Sequence, residues 1–351
     1  MFTNKDTKKV RVGNIEIGGG ADISVQSMLS VPAHDIAGNI RQAEELKNAG
    51  CDILRISVPD EESIKTVAAV KERVDIPLVA DIHFDWKLAV ESAAAGADKI
   101  RINPGNIGEG ENVKAVADAC RMRNIPIRIG VNSGSVEKNI LEKYGKVTPE
   151  ALVESGFYHI GLLERYDFED IVLSLKASDV QTMYGAYCLA AETCRYPLHL
   201  GVTEAGTLNT GTLRSAAGIG GLLLRGIGDT VRVSLTDDPV KEVTAGIELL
   251  KSLGIRKGGV RFVSCPTCGR TEIDLISLTK SAEERFGNIK KDITVAVMGC
   301  VVNGPGEASA ADIGIAGGKG CGAIFRKGEI IHKNVPEKDL LNVLEAEIAK
   351  L

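Results

Sequence analysis

No hydrophobic run of the sequence is long enough to cross a membrane. The most apolar stretch, residues 215–224, is far shorter than the roughly 20 residues that a transmembrane helix needs. The N-terminal segment MFTNKDTKKVRVGN is polar, so no secretory signal is expected there. These two absences predict a cytoplasmic protein without a membrane partner, in which cysteine thiols stay reduced.

An excess of positive charge is also missing, because 42 Lys and Arg residues stand against 47 Asp and Glu residues. A general nucleic-acid surface needs a basic stripe, so no nucleic-acid partner is predicted. Hydrophobic residues make up 44% of the chain and charged residues 25%, as in an ordinary globular protein. The eight cysteines are therefore expected to be buried apolar side chains or metal ligands, not a disulfide framework.

The first two thirds of the chain alternate short β-branched runs with longer amphipathic segments. Eight runs are predicted strands, namely residues 23–28, 53–59, 77–84, 99–103, 126–132, 171–177, 198–204 and 230–235. Alternating strands and helices pair in parallel through right-handed crossovers. Residues 1–253 are thus predicted to form a (β/α)8 TIM-type barrel that binds the substrate, and VRVGNIEI (10–17) a hairpin that seals its floor.

After residue 253 the pattern changes. Residues 254–259 (GIRKGG) are a predicted linker and hinge, and residues 254–351 a small α+β iron–sulfur domain. Its predicted elements are strands at 261–264 and 292–298, a helix at 274–286, a hairpin at 323–334, and a last helix that begins with Pro336.

Three cysteines of this second part stand near predicted strand ends. Cys265 and Cys268 form a C-x2-C motif, and Cys300 follows the next strand. The motif alone is compatible with a redox dithiol, half a zinc site or an iron–sulfur site. No second C-x2-C or His pair accompanies it, as a zinc ribbon would require. Three thiolates beside glycines and prolines favour an iron–sulfur cluster with one iron that lacks a cysteine.

The fourth ligand has two candidates. Cys321 would supply a fourth thiolate, and Glu307, in the loop NGPGEA, would supply an oxygen. Glu307 is the more informative candidate, because an oxygen ligand on a sulfur-preferring iron is displaceable and would leave that iron open to substrate.

Four arginines share one parity along the predicted barrel strands, and each is followed by a small polar residue of the same parity. These pairs are Arg55 with Ser57, Arg101 with Asn103, Arg128 with Asn132, and Arg232 with Ser234. Barrel active sites lie at the carboxyl ends of the strands, and the planar guanidinium suits phosphate oxygens. Internal pairing with Asp81, Glu204 or helix-end carbonyls is the alternative. Four matching positions favour anion binding, because buried charge is costly unless it is paired.

Acidic and imidazole side chains lie at the same predicted strand ends. Asp81 and His83 end the third strand and Glu204 ends the seventh. They are candidates for orienting substrate hydroxyls or relaying protons, or for holding the arginines in place. His199, within an apolar strand, is predicted to be a hydrogen-bonded core residue.

Motifs along the whole chain resemble those of the bacterial 4-hydroxy-3-methylbut-2-enyl diphosphate synthase family, also called IspG or GcpE. The motifs are VQSM (25–28), RISVPD (55–60), ADIHFD (80–85), KIRINPGNIG (99–108), IRIGVNSGS (127–135), LHLGVTEAG (198–206), CPTCGR (265–270) and GCVVNGPGEA (299–308). The resemblance implies a [4Fe–4S] cluster held by Cys265, Cys268, Cys300 and Glu307. It also implies a homodimer that takes electrons from ferredoxin or flavodoxin.

The implied reaction is the reductive ring opening of 2-C-methyl-D-erythritol 2,4-cyclodiphosphate with loss of water. Family members often carry a lysine where this chain has Arg214, and Asn303 beside Glu307 is a further candidate for substrate contact. Two rival functions are a non-catalytic electron-transfer module, which would need four cysteine ligands, and a zinc-stabilised carbohydrate-binding barrel.

Overall fold

The computed structural model describes residues 6–108, 110–287, 289–300 and 308–351. The chain divides into two compact units, Met1–Arg256 and Lys257–Leu351. The division lies within the linker that the sequence predicts. Each unit has its own buried apolar core, and the two cores share no residue.

The first unit is built on a barrel of parallel strands. Its floor is the antiparallel hairpin of β1 (Val10–Val12) and β2 (Ile15–Ile17), as predicted. The barrel strands are β3 (Ser24–Met28), β4 (Ile53–Ser57), β5 (Leu78–Asp81), β6 (Lys99–Ile102), β7 (Ile127–Asn132), β8 (Ile171–Lys176), β9 (His199–Leu200) and β10 (Thr230–Val231). Their order is β8-β7-β6-β5-β4-β3-β10-β9, and a bridge between Leu173 and Leu198 joins the two ends. The predicted (β/α)8 barrel is confirmed.

Helices follow the strands in sequence. They are α1 (Ile36–Asn48), α2 (Ser63–Arg73), α3 (Trp86–Ala94), α4 (Pro104–Ile107), α5 (Glu111–Arg123), α6 (Lys138–Tyr144), α7 (Pro149–Glu164), α8 (Val180–Thr193), α9 (Leu208–Ser215), α10 (Gly221–Leu223) and α11 (Pro239–Ser252). Aspartate side chains cap several N-termini, as Asp179 does when it accepts from the Thr182 amide at 2.7 Å. A π-helical stretch, Ala216–Gly220, lies between α9 and α10.

Strand residues alternate between the helix layer and the barrel interior. Leu54 and Ile56 of β4 are fully buried in the large core of the unit. Near the floor, Ile53 and Val79 pack against the hairpin residues Val12 and Ile17. Above this apolar floor the inward positions are basic and polar, which concentrates charge toward the carboxyl ends of the strands.

In its described residues, the second unit is a five-stranded mixed sheet with two helices. Its strands are β11 (Val260–Ser264), β12 (Ile293–Met298), β13 (Ile313–Gly318), β14 (Cys321–Arg326) and β15 (Glu329–Pro336), and its helices are α12 (Leu275–Phe286) and α13 (Leu340–Ala349). Strands β11, β12 and β13 are parallel neighbours, and β14 and β15 continue the sheet antiparallel.

Two predictions for this unit were wrong. Strand β13 was not predicted, because its sequence IGIAGG is rich in glycine and lacks the alternation of a half-buried strand. Pro336 does not begin the last helix. It ends β15, and α13 begins at Leu340 after a 3-10 turn, Glu337–Asp339. In the described ranges of the chain, every helix is too short or too polar to span a lipid bilayer.

Candidate functional site

Asp81 lies at the centre of the barrel mouth, where it binds two of the four predicted arginines. Its Oδ1 accepts a hydrogen bond from Nη1 of Arg101 at 2.9 Å, and its Oδ2 lies 3.7 Å from Nε of Arg55. The ring Nε2 of His83 lies 3.3 Å from the same Oδ2. Burial alone would raise the pKa of the Asp81 carboxyl, but Arg55, His83 and Arg101 together hold it well below its usual value. Asp81 is therefore an anion that orients the guanidinium groups.

Arg232 is paired differently. Its guanidinium binds Glu242 of α11, with Nε and Nη2 each 3.2 Å from Oε2. Glu242 is also fixed by the Ser27 hydroxyl and by the Leu235 amide. The sulfur of Met28 lies within 3.0 Å of Nε of Arg55 and within 3.7 Å of Nη1 of Arg232, so a weak acceptor separates the two cations.

Arg128 has no carboxylate partner among the described residues. It is 1% exposed, and its Nε and Nη1 atoms make no hydrogen bond there. Lys176, the last residue of β8, is also buried, and a Cβ on Gly201 would lie 2.6 Å from its Nζ. Burial and neighbouring arginines lower the pKa values of both side chains. The mouth thus contains more basic groups than its two carboxylates, Asp81 and Glu242, neutralise.

The small polar partners of the arginines lie at the same rim. Asn103 directly follows β6, is 3% exposed, and its Oδ1 has no partner in the described part of the chain. Asn132 ends β7, where its backbone amide and carbonyl both bond the Ser135 hydroxyl. Ser234 lies two residues after Arg232 and is half-buried. His83 is about half exposed and so reaches the solvent side of Asp81.

Glu204 and Arg214 form a separate group after β9. The Glu204 side chain is exposed and accepts a hydrogen bond from the Ser178 hydroxyl, not from a rim arginine. Its backbone is left-handed, with φ at 51°, a conformation that non-glycine residues seldom adopt. Arg214 of α9 donates from Nη1 to the carbonyls of Glu204 and Ala205 at 3.4 and 3.2 Å. Arg214 thus supports the loop that carries Glu204.

Several residues that point into the barrel were not predicted from the sequence. Lys176 and Lys99 point inward with the parity of the neighbouring arginines, and Gln26 and Met28 do the same on β3. The two lysines could have been found from their parity in strands IVLSLK and KIRI. The role of Glu242 could not, because it depends on how α11 packs on the barrel. His199 is buried as predicted, but both ring nitrogens lack a partner in the described residues.

In the second unit, cysteines follow two adjacent parallel strands. Ser264 of β11 pairs with Val297 of β12, so Cys265 and Cys300 follow the carboxyl ends of two neighbouring parallel strands. The Gly299 amide donates to Sγ of Cys265 at 3.2 Å. Cys268 is exposed, and a backbone hydrogen bond from Arg270 lowers the pKa of its thiol. Cys321 begins β14 and pairs with Gly318, two strands away from Cys300.

These donors suit an iron–sulfur cluster chemically. Thiolates are the ligands that iron–sulfur clusters use, and amide hydrogen bonds to sulfur are typical around them. Glu307 and Asn303 lie outside the described residues. Within the described ranges, no three His, Cys, Asp or Glu side chains lie close enough together to hold a metal ion. Cys265 and Cys300 thus lie at the same end of the sheet. The loop with Glu307, the predicted fourth ligand, lies outside the described residues.

Sequence comparisons decide the family. The profile of the GcpE TIM-barrel domain matches residues 7–247, and that of the GcpE protein C-terminal domain matches residues 261–350. The chain belongs to the GcpE family. The relatives of this GcpE chain include a protein of Clostridium perfringens, 58% identical over 343 residues that cover 98% of each chain. A protein of Caldanaerobacter subterraneus is 56% identical over 99% of this chain and 98% of its own. Both are named 4-hydroxy-3-methylbut-2-en-1-yl diphosphate synthase (flavodoxin).

Two solved structures are similar to part of this GcpE chain. Dihydropteroate synthase of Yersinia pestis, in a sulfonamide drug complex, has a TM-score of 0.52 at 14% identity and covers 71% of this chain and 100% of its own. The 3-dehydroquinate dehydratase of Geobacillus kaustophilus has a TM-score of 0.51 at 16% identity, covering 71% and 99%. At such identities the likeness establishes only the shared barrel fold.

Proposed function

We propose that the chain converts 2-C-methyl-D-erythritol 2,4-cyclodiphosphate to 4-hydroxy-3-methylbut-2-enyl diphosphate in the methylerythritol phosphate pathway. The reaction is a two-electron reductive ring opening with loss of water, and flavodoxin donates the electrons. The observation that carries the proposal is 58% identity, over 98% of both chains, to a relative with this named activity. The basic barrel mouth supports it, because a cyclic diphosphate needs cationic partners.

In this proposal the barrel mouth binds the diphosphate. Arg55 and Arg101 are held in place by Asp81, so their outer N–H groups can bind phosphate oxygens without losing side-chain entropy on binding. Arg128 and Lys176 form no ion pair with a carboxylate in the described ranges. In this proposal the phosphate oxygens are their anionic partners. Arg232 is held by Glu242 and is oriented in the same way. Asn103, Asn132 and Ser234 would bind the remaining oxygens at the rim.

The acidic and imidazole groups take the positioning and proton-transfer roles. His83 lies on the solvent side of Asp81 and is placed to hold a proton at Nε2 next to the bound sugar. Glu204, in its left-handed loop, would accept a hydrogen bond from a substrate hydroxyl. Arg214 would support that loop.

The second unit would hold a [4Fe–4S] cluster through Cys265, Cys268, Cys300 and Glu307, with Asn303 beside them. When bound, the cluster supplies the electrons that the ring opening consumes. The Gly299 amide, which donates to the Cys265 sulfur, would stabilise the thiolate form of that ligand. The family resemblance further supports a homodimer, and the reduced thiolates that a cluster requires support a cytoplasmic location.

Anaerobic turnover tests the function directly. Freshly purified holoenzyme, reduced flavodoxin and the cyclic diphosphate should yield 4-hydroxy-3-methylbut-2-enyl diphosphate, with two electrons consumed per molecule of product. Iron, sulfide and zinc analysis of the same sample separates the rival functions. A colourless protein that contains one zinc ion and no sulfide would contradict the proposal, and so would a coloured protein that oxidises flavodoxin without forming product.

The variant Glu307→Ala tests the fourth ligand. Because three thiolates remain, we expect the cluster to be retained but to bleach faster in air, while turnover is severely reduced. Cys321→Ala is the matched control and should keep both properties. Loss of the cluster in Cys321→Ala, with normal turnover of Glu307→Ala, would reverse the assignment.

A further inference from the structure

The interior of the barrel is polar below the mouth. TIM barrels are normally filled by layers of branched apolar side chains. Here four large polar or basic side chains of the barrel strands are buried, and none is more than 1% exposed. These residues, called the polar tier below, are Gln26, Lys99, Arg128 and His199.

The polar tier has many atoms without partners. In the described part of the chain, both amide atoms of Gln26, Nζ of Lys99, Nε and Nη1 of Arg128 and both ring nitrogens of His199 make no hydrogen bond. Buried polar groups are nearly always hydrogen-bonded in folded proteins. So many unpaired atoms in the polar tier indicate that these side chains bind water, protons or anions.

The positive charge of its neighbours determines whether the Lys99 amine holds a proton. The basic side chains that act on it are Arg128 and Arg55, and the buried imidazole of His199 lies in the same interior and interacts with Lys99. Only the carboxylates of Asp81 and Glu242 reach this group among the described residues. Arginine keeps its proton in proteins, whereas a lysine buried beside other cations releases its proton readily. Burial lowers the pKa of Lys99 well below its usual value, and Arg128 and Arg55 lower it further.

We propose that Lys99 is the proton acceptor of the barrel interior: it is an uncharged amine in the free protein and takes up one proton from solvent when a diphosphate binds at the rim. The inference rests on the proposed substrate class. Lys99 lies at the start of β6, two residues below Arg101, and therefore acts through the electrostatic potential of the interior rather than by touching the substrate.

The size of the effect follows from Coulomb's law. A dianion roughly 8 Å from the amine, in a medium of effective dielectric constant about 20, raises its pKa by about 3 units. The free and bound proteins then differ by one proton over a window of about that width. Within the window, affinity for the diphosphate falls up to about tenfold for each unit by which pH rises. Outside it, affinity does not depend on Lys99.

Calorimetry measures the proton directly. Holoenzyme is titrated anaerobically, without reductant, with the cyclic diphosphate at pH 7.5, in two buffers of very different ionisation enthalpy. Each phosphorus of this ligand carries one ester bond, one anhydride bond and a single strongly acidic hydroxyl that does not titrate near neutral pH, so protons taken up belong to the protein. We expect uptake of about one proton in wild type and in Lys47→Met, an exposed lysine of α1. In Lys99→Met the uptake should be close to zero, with binding retained.

Each result has a distinct meaning. No binding in either buffer would overturn both this inference and the proposed function. Binding without a buffer-dependent enthalpy in wild type, or unchanged uptake in Lys99→Met, would overturn this inference alone. Lys99→Gln is the second variant in case Lys99→Met does not fold. The wild-type dissociation constant from pH 6.5 to 9 is the independent check, and a value that does not rise anywhere in this range would also overturn the inference.

Discussion

Asp229 is a buried carboxyl near the barrel floor. Its Oδ1 accepts a hydrogen bond from the Thr7 hydroxyl at 2.9 Å, and its Oδ2 accepts one from the Leu198 amide at 2.7 Å. Burial raises the pKa of Asp229 from 3.8 to about 6, against these two hydrogen bonds. Asp229 therefore connects the N-terminal segment to β9, but its ionised form is costly to bury.

Replacing Asp229 by Asn should flatten the pH dependence of barrel stability. Between about pH 4 and 6 the folded protein binds a proton that the unfolded chain does not, so the free energy of unfolding falls as pH rises through this window. The full penalty, up to about 3 kcal/mol, applies above pH 6. Asp229→Asn removes it, so the variant should gain stability relative to wild type as pH rises from 4 to 7.

Denaturant unfolding followed by Trp86 fluorescence measures this effect, because Trp86 is the single tryptophan and lies in α3 of the barrel unit. Asp292→Asn, at an exposed position of the second unit, is the charge-matched control and should follow the wild-type curve. A relative stability of Asp229→Asn that is constant from pH 4 to 7 would show that Asp229 keeps an ordinary pKa.

At the scale of one strand, β7 shows how the barrel makes room for its arginines. Gly130 lies between Arg128 and Asn132, and its carbonyl accepts a hydrogen bond from Nη2 of Arg101 at 3.1 Å. A Cβ at Gly130 would lie 2.5 Å from Nε of Arg101. Glycine at this position is thus required by the guanidinium of the neighbouring strand, not by the conformation of its own backbone.

Gly130→Ala should displace Arg101 from Asp81 and weaken substrate use. Since a misplacement of about 1 Å at an active site costs on the order of 100-fold, we expect kcat/KM to fall about 10- to 100-fold with little loss of thermal stability. Gly161→Ala in α7 is the control, because a Cβ there meets nothing within 4 Å. Steady-state kinetics under anaerobic conditions measures both variants, and equal kcat/KM values would contradict the role of Gly130.

The strands also show what the sequence can and cannot predict. The alternation of strand residues predicted that Arg55, Arg101, Arg128 and Arg232 lie at the same end of the barrel. This prediction was possible because period-2 alternation and parallel strand order depend on local sequence alone. The pairing of Arg232 with Glu242 depends on how α11 packs, which no local pattern contains. Strand β13 was missed for a related reason. Its glycines Gly314 and Gly317 pack closely, since a Cβ there would lie 2.5 Å from Phe325 and 2.6 Å from Ile273, respectively.

At the scale of the whole molecule, the two units are separate in their cores and in their proposed chemistry. The barrel core extends from Ile23 to Leu250, and that of the second unit from Val260 to Ile348. Arg256, the last residue of the first unit, binds Asp52 through both terminal nitrogens, at 2.7 and 3.1 Å. The barrel therefore ends at a fixed point before Gly258 and Gly259, both of which have positive φ.

Iron removal should loosen the second unit and leave the barrel intact. Metal–thiolate bonds stabilise only the folded form of the unit that contains them. After anaerobic chelation, we expect amide exchange to accelerate in peptides that cover β11 and β12, while those of β4 to β7 exchange as before. Hydrogen-exchange mass spectrometry resolves the two sets, and Cys265→Ser without chelation should reproduce the pattern. Equal acceleration in both units would show that they unfold as one.

Arg128 tests most directly whether the buried cations of the barrel serve the diphosphate and not the fold. Because no described carboxylate forms an ion pair with this 1% exposed side chain, Arg128→Met should leave the melting temperature unchanged or raised. The same change should weaken binding of the cyclic diphosphate to holoenzyme by about 100-fold, while the exposed-site control Arg73→Met should bind as wild type does. A stable Arg128→Met protein that binds the diphosphate with wild-type affinity would contradict the account.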